Sequence, residues 1–385
     1  MRVLNVNSTL GLKTGGGTAE RTFQMSLFLA NQGVKCTVLT LDIGLDKQRI
    51  SDLEPATVFA TLCFWKRHYV PWVKWKHIRR LVEDVDIIHI MGHWGLLNAL
   101  VYMAARLASK PYVVCPAGAL PIFGRSQIIK RVYNCIIGYS IIRNASGWIA
   151  VTSAEFPHFE SYGIPASQVT VLPNGISEED FPQVDVETYK RSKGLTGKSI
   201  ILFMGRLNPI KGPDLLLQAF TKVHKLFPEF HLVFAGPDEG MRSGLVEISE
   251  QNNIGDYVHF FGYVSGVDKS AAYRMADLLV VPSRQEAMSI VALEAAVCGT
   301  PVMLTDQCGF SEVKSICPDF EVAADISGIA NGIISLLKQP EKLKHNSALL
   351  QDLVIQRYTW SSIVHLYIEL YTNILASAKK TAFRL

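Results

Sequence analysis

The sequence predicts an α/β protein built on two doubly wound parallel sheets. Three observations predict it. Apolar strand-like runs alternate with helical stretches along most of the chain. The runs are near-continuous rather than alternating, which marks strands buried on both faces and so a parallel sheet covered by helices. The series breaks near Leu172-Pro173-Asn174-Gly175 and then restarts, so it occurs twice within 385 residues.

The elements follow in order. Residues 2–7 (RVLNVN) read as the first strand, 14–18 (TGGGT) as a Gly-rich turn, and 19–33 as a helix. Phe23, Leu27 and Ala30 give that helix an apolar face, and Gly33 stands where it should end. Residues 36–41, 86–91, 112–117 and 148–153 read as further strands, with a helix over 95–108. An acidic stretch, 177–192, follows the break. In the second series 201–205, 231–236, 258–262, 278–283 and 301–306 read as strands, with a helix over 214–227. Ligands of such sheets sit beyond the carboxyl ends of the strands, and the cleft between two such units is the expected site.

Bulk properties bound the function. Hydrophobic residues make up 49% of the chain and charged residues 19%, which excludes a disordered chain. A net charge of +4 names no nucleic-acid partner. Cys36, Cys63, Cys115, Cys135, Cys298, Cys308 and Cys317 are odd in number and lack CxxC spacing, so reduced thiols in a cytoplasmic protein are expected. Met1-Arg2 leads straight into a strand, so no signal peptide is expected. The longest apolar candidate, Ile136–Ile142, is far short of the ~20 residues of a membrane span.

Three clusters carry chemistry. Gly15, Gly16 and Gly17 lie between a strand and a helix, where a bare backbone and a helix N-terminus suit a phosphate. A plain flexible turn fits equally, since the run is neither GxGxxG nor a P-loop. The second cluster is Gly205-Arg206-Leu207-Asn208-Pro209-Ile210-Lys211-Gly212. Arg206 offers a planar fork of donors and Lys211 a point charge on one loop, a pair suited to a diphosphate unless both are simply solvated. The third is Glu286, on the loop after the strand 278–283, and Glu294, eight residues on and about two helical turns further along one face. One carboxylate would accept from sugar hydroxyls and the other hold a ribose. The amides of Ala287, Met288 and Ser289 would cradle the leaving phosphate. As bare physics, such a Glu pair is more often surface decoration.

Residues 282–302 resemble the E-x7-E region of the retaining glycosyltransferases of family 4, which have the GT-B fold. GRLNPIKG is similar to their diphosphate-binding Arg and Lys, FAGPDEG (234–240) and HFFGYVS (259–265) to their nucleotide-side loops, and VTVLPNGI (169–176) to the end of their N-terminal domain. The resemblance implies an acceptor-binding Rossmann-like domain over 1–175, a nucleotide-sugar domain over 176–360, and a helix over 361–385 packing back toward the first. It implies that Arg206 and Lys211 neutralise the diphosphate, that Glu286 contacts the donor sugar and Glu294 the ribose, and that Gly15–Gly17, Gly205, Gly236 and Ala287–Ser289 bind the donor. The reaction implied moves a hexose or N-acetylhexosamine from a UDP- or GDP-sugar to a glycan acceptor, with retention and without a metal or other cofactor. Electrostatic stabilisation of the departing diphosphate would supply much of the catalysis.

The sequence also departs from the family. Glu286-Ala287-Met288-Ser289 stands where Glu-Gly-Phe-Gly is frequent, and Ala117-Gly118 where many relatives carry His-Gly. His93 is the nearest alternative polar group, and a purely structural histidine reads as well there. Asp84-Val85-Asp86 imitates a metal-binding DxD but leads into a buried strand, and we reject it.

The acceptor leaves a fainter signal. Residues 65–80 (WKRHYVPWVKWKHIRR) hold six Lys or Arg and three Trp with no acid. Lys66, Arg67, Trp72, Lys74, Trp75, Lys76, Arg79 and Arg80 would suit an anionic membrane surface, with Arg125, Lys130, Arg131 and Arg143 adding to it. The expectation is peripheral attachment to the inner leaflet of the plasma membrane and a lipid-linked acceptor, in cell-surface polysaccharide or glycolipid biosynthesis. A helix packed with a basic face outward, or a nucleic-acid patch, is the rival. For the whole protein the rivals are a GT-B nucleotide-sugar epimerase and a catalytically silent nucleotide-sugar-binding scaffold.

Overall fold

The computed structural model describes residues 1–122 and 126–382. It divides into two compact units, Met1–Gly175 joined by the chain from Trp360 onward, and Ile176–Thr359. The second crossing thus falls before Trp360, one residue earlier than the sequence boundary.

The first unit carries eight strands: β1 (Arg2–Val6), β2 (Lys35–Leu41), β3 (Thr57–Trp65), β4 (Val70–Trp72), β5 (Ile87–Met91), β6 (Tyr112–Cys115), β7 (Gly147–Ala150) and β8 (Val169–Val171). Their order is β4-β3-β2-β1-β5-β6-β7-β8. All pairs are parallel except β3 with β4. Strands β1, β2 and β5 are buried on both faces, as their unbroken apolar runs require. β3 and β4 form an antiparallel edge rich in exposed aromatics. Sequence reading passed over both strands because many of their side chains face water and no unbroken apolar run marks them.

The helix Leu12–Asn31 follows β1. Its end is a complete Schellman motif: Gly33 takes φ 79°, its amide donates to the Ala30 carbonyl, and the Val34 amide reaches back to Leu29. The C-terminal helix Trp360–Ala382 packs against this helix. Between them lies a polar core. Arg21, 1% exposed, donates to the Leu172 carbonyl at 2.6 Å, to Asn174 Oδ1 at 2.7 Å and to the Tyr367 hydroxyl. His89 on β5 bonds the Tyr371 hydroxyl at 2.6 Å.

The second unit has six strands: β9 (Ser199–Met204), β10 (Phe230–Ala235), β11 (Val258–Gly262), β12 (Leu278–Val281), β13 (Val302–Thr305) and β14 (Glu321–Val322). All are parallel, in the order β11-β10-β9-β12-β13-β14. Renumbered from β9 this is 3-2-1-4-5-6, the doubly wound order whose connections reverse direction between the first and fourth strands. The reversal lies between β9 and β12 here, and between β1 and β5 in the first unit.

Among the described residues no helix is long and apolar enough to cross a membrane. All seven cysteines are unpaired, and five are buried.

Candidate functional site

A doubly wound sheet opens a crevice where its connections reverse, beyond the carboxyl ends of the two flanking strands. In the second unit those ends carry Gly205–Gly212 after β9 and Pro282–Ser289 after β12. Arg206, Lys211 and Glu286 all stand on these loops.

They are brought together as carboxylate-held cations. Lys211 Nζ lies 2.7 Å from Glu286 Oε1, and Ser283 Oγ donates to the same oxygen. The Glu286 side chain is only 8% exposed and that of Lys211 26%, so this is a largely desolvated pair. Arg206 Nη1 lies 2.9 Å from Glu239 Oε1, both half-exposed. Each cation thus has a carboxylate partner, Lys211 in a largely buried pair and Arg206 in a solvent-exposed one.

Arg284 fastens this loop from the other side. It donates to the Pro209 carbonyl at 2.6 Å and makes a bidentate pair with Asp214 at 2.9 and 2.6 Å. Burial pushes the Asp214 carboxyl up, but Arg284 overcomes this and holds it below the usual range. Gly212 takes φ 67°, and a Cβ there would stand 2.1 Å from the Pro282 carbonyl oxygen. Only glycine lets the two loops meet so closely.

Gly236 has the same use. Gly205 and Gly236 both adopt φ near 150°, and a Cβ on Gly236 would lie 1.8 Å from the Gly205 carbonyl oxygen. The loops after β9 and β10 then zip together: the Leu207 amide donates to Pro237 and the Glu239 amide to Leu207.

Two expectations about the E-x7-E stretch need correction. The helix runs only from Ile290 to Val297, so Glu286 lies on the preceding loop, as expected, but shares no helix face with Glu294. The residues between follow the loop because the amide of Glu286 is taken by the Gln307 carbonyl and that of Ser289 by Cys308. The Ser289 amide is thus not offered to a phosphate. Gly309 opposite has no room for a Cβ, which would meet the Ala287 carbonyl oxygen at 1.8 Å. Ser289 is buried and its Oγ has no hydrogen-bond partner, while Met288 is 6% exposed.

Nor is the glutamate pair surface decoration. Glu294 is 5% exposed and accepts from Lys269 Nζ at 2.6 Å and from the Tyr273 hydroxyl at 2.5 Å. Lys269 and Tyr273 are four apart on the helix Gly266–Arg274, so one helix face delivers both donors.

In the first unit the reversal lies between β1 and β5, and its flanking loops carry Gly15–Gly17 and His93. The Gly run is a break within the helical stretch: a first turn precedes it, and the longer helix follows the kink at Gly16. The helix already starts at Leu12, and the Gly15 amide donates to the Gly11 carbonyl at 2.9 Å. Gly16 alone leaves helical geometry, at φ 60° and ψ −158°, and a Cβ there would meet nothing within 4 Å. Gly16 therefore breaks the helix in open space, whereas a Cβ on Gly15 would stand 2.1 Å from that of Ala19.

His93 is buried, and burial lowers its pKa to about 4, so the ring is neutral. Nε2 lies 2.9 Å from Asn134 Oδ1, an acceptor, which puts the ring proton on Nε2. Nδ1 is buried without a partner. Trp94, Tyr133 and Tyr162 box the ring. The π-helical turn Asn134–Gly138 aims Asn134 at it. At the end of β6, Ala117 takes φ 50° and the Gly118 amide is held by buried Glu155 at 2.6 Å.

The basic stretch is one strand end, one short turn, one edge strand and one helix, Trp75–Glu83, which buries Ile78 and Val82. Lys66, Arg67, Trp72, Lys74, Trp75, Lys76, Arg79 and Arg80 are all exposed. Arg79 and Arg80 pair with Glu83 and Asp84 at 2.7 and 3.8 Å, acids that lie one turn beyond the window read from sequence. Ile128 and Ile136, both about three-quarters exposed at 75% and 76%, extend an apolar surface around Lys130 and Arg131. Arg125 lies outside the described residues.

Asp86 of the rejected DxD accepts from Nε and Nη2 of Arg2 through Oδ1 and from the Arg2 amide through Oδ2. Among the described residues no group of three His, Cys, Asp or Glu is placed to hold a metal ion. Sequence reasoning missed Ser283, Glu239, Asn208, Arg284, Lys269 and Tyr273. The i,i+4 spacing of Lys269 and Tyr273 was visible, but not which carboxylate they would meet.

Comparison with known proteins follows this geometry. The family described as Glycosyltransferase Family 4 matches residues 15–180, and that described as Glycosyl transferases group 1 matches residues 185–348. A D-inositol 3-phosphate glycosyltransferase of Actinosynnema mirum is 34% identical over 322 residues, covering 76% of each chain. Another, from Segniliparus rotundus, is 28% identical over 64% of this chain, which spans only about half, 54%, of that relative. A phosphatidyl-myo-inositol mannosyltransferase of Mycobacterium leprae is 25% identical over 95% of both chains. Among solved structures, Anabaena HepE in complex with UDP and glucose superposes with a TM-score of 0.79 at 19% identity, over 97% of this chain and 100% of that one. WaaG, a glycosyltransferase involved in lipopolysaccharide biosynthesis, superposes with a TM-score of 0.69 at 17% identity, over 97% and 100%.

Proposed function

This chain belongs to glycosyltransferase family 4 and has the GT-B fold, and on that premise we propose that it moves a hexose or N-acetylhexosamine from a UDP- or GDP-sugar to a glycan acceptor with retention of configuration. One observation carries the reading. Arg206, Lys211 and Glu286 stand on the loops after the two strands that flank the reversal point of the second sheet. Two cations there match a diphosphate in charge, and stabilise it most as it departs. No metal is then required for that step. Both bonds to Glu286 fall on Oε1, which leaves Oε2 for a sugar hydroxyl. Glu294, fixed by Lys269 and Tyr273, orders the ribose side. Gly15, Gly16 and Gly17 remain the candidates for the donor on the N-terminal unit.

The N-terminal unit takes the acceptor, and that acceptor is lipid-linked at an anionic membrane. The support is the exposed set Phe64, Trp65, Trp72 and Trp75 interleaved with Lys66, Arg67, Lys74 and Lys76. A relative whose name makes it a phosphatidylinositol mannosyltransferase adds to it. Sedimentation with anionic liposomes at low salt tests the surface: no binding sinks it.

The donor site is tested by thermal stabilisation with a panel of nucleoside diphosphates and their sugars, without added metal. A rise in melting temperature with one base, lost in Arg206→Ala, supports the reading. No rise with any nucleotide moves the weight to a silent scaffold. Nucleotide release that depends on an added acceptor separates a transferase from an epimerase.

A further inference from the structure

Glu239 lies on the loop after β10 and has been given no part in the reaction. Its two oxygens are divided between two donors of the neighbouring loop: Oε1 takes Arg206 Nη1 at 2.9 Å and Oε2 takes Asn208 Nδ2 at 2.7 Å. Asn208 in turn accepts the Lys211 amide at 3.0 Å through Oδ1. Its neighbour Asp238 faces elsewhere, accepting from the backbone amides of Gly240, Met241 and Arg242 at 2.9, 2.9 and 3.1 Å. Two adjacent acids therefore have separate tasks. Asp238 folds its own loop, and Glu239 holds the cation of the next one.

A carboxylate presents two anionic oxygens much as a phosphate presents its non-bridging pair, so the two groups compete for one guanidinium fork. We propose that Glu239 is a tethered competitor for the donor diphosphate: it occupies Arg206 and Asn208 in the empty site, yields Arg206 when the diphosphate arrives, and retakes it as the product nucleotide leaves. This rests on the donor-site reading above. The pair suits such an exchange because it is exposed, 50% for Arg206 and 41% for Glu239, so it opens easily. By contrast the Lys211–Glu286 pair is largely desolvated and stays closed. Glu239 thereby sets nucleotide affinity and speeds product release without touching the sugar.

Glu239→Gln tests this, since it keeps the shape and one acceptor oxygen, removes the charge, and turns the second acceptor into a donor that cannot hold Arg206 and Asn208 together. Binding of UDP, GDP and ADP is measured by calorimetry at low salt, and the one that binds is carried forward. Glu239→Gln should bind it about two- to five-fold tighter than wild type, in line with the loss of an exposed ion pair. The gain should shrink in 1 M salt, where the screening length is about 3 Å. Asp238→Asn, which removes the same charge one residue away, should show no gain. Equal or weaker binding by Glu239→Gln, or an equal gain in Asp238→Asn, overturns the competitor while leaving the donor site standing. Wild-type protein that binds no nucleoside diphosphate overturns both.

Discussion

Replacing Lys211 by Met strips Glu286 of its counter-charge. At 2.7 Å the pair attracts by about 6 kcal/mol gross, taking an effective dielectric constant of about 20. Most of this offsets the desolvation of both groups, and the part recovered on folding is far smaller. Glu286 is 8% exposed and keeps the Ser283 hydroxyl, while Lys211 is a quarter exposed. The net loss should then be about 2 kcal/mol, below the 3–5 kcal/mol of a fully buried pair. For a unit of this size that lowers the melting temperature by about 4–8 °C. Lys211→Met/Glu286→Gln should recover more than half of it, because the uncompensated charge is gone. Scanning calorimetry of the wild type, both single variants and the double variant measures the coupling. A Lys211→Met protein that melts with the wild type, or strictly additive effects, would refute the claim that these groups meet in a desolvated pair.

Three further outcomes are expected. Burial lowers the pKa of His89 to about 3 and of His93 to about 4, below the ~6.5 of an unfolded chain, so the unfolded state binds more protons and stability falls as pH drops below about 6.5. Each contributes up to about 1.4 kcal/mol per pH unit, and urea midpoints that stay flat from pH 6.5 to 4.5 would contradict it. Tyr273→Phe leaves buried Glu294 short of one donor and should lower stability by about 1–3 kcal/mol, read from denaturant unfolding; a change under about 0.5 kcal/mol would mean the bond is not formed. Gly236→Ala places a Cβ 1.8 Å from the Gly205 carbonyl in a backbone region that side chains avoid, and should remove at least about 2 kcal/mol together with nucleotide-dependent stabilisation, whereas an unchanged melting temperature would show that the loops part freely.

The architecture was legible because doubly wound sheets leave a plain mark: strands such as Ile200–Phe203 and Leu278–Val281, buried on both sides, read as unbroken apolar runs. The edge strands β3 and β4 left none, since half of their side chains face water. The cations of the β9 loop were legible from residue type and from their place after a strand. Their carboxylate partners were not, because Arg206 and Glu239 lie 33 residues apart and Lys211 and Glu286 lie 75 apart.

By itself, then, the sequence determined the parallel sheets, the doubling of the series, the strand ends that bear Arg206, Lys211 and Glu286, and the family. Periodicity, hydrophobicity and residue chemistry are local properties, and they survive in a one-dimensional reading. The tertiary structure decided which acid each cation holds, that Glu286 and Glu294 share no helix face, that the Ser289 amide is already bonded, and that the glycines at 212 and 236 serve contacts between loops. Each of these depends on two or more segments meeting within about 3 Å of one another, the reach of a hydrogen bond. Neither segment encodes that meeting alone, so only the folded chain could settle it.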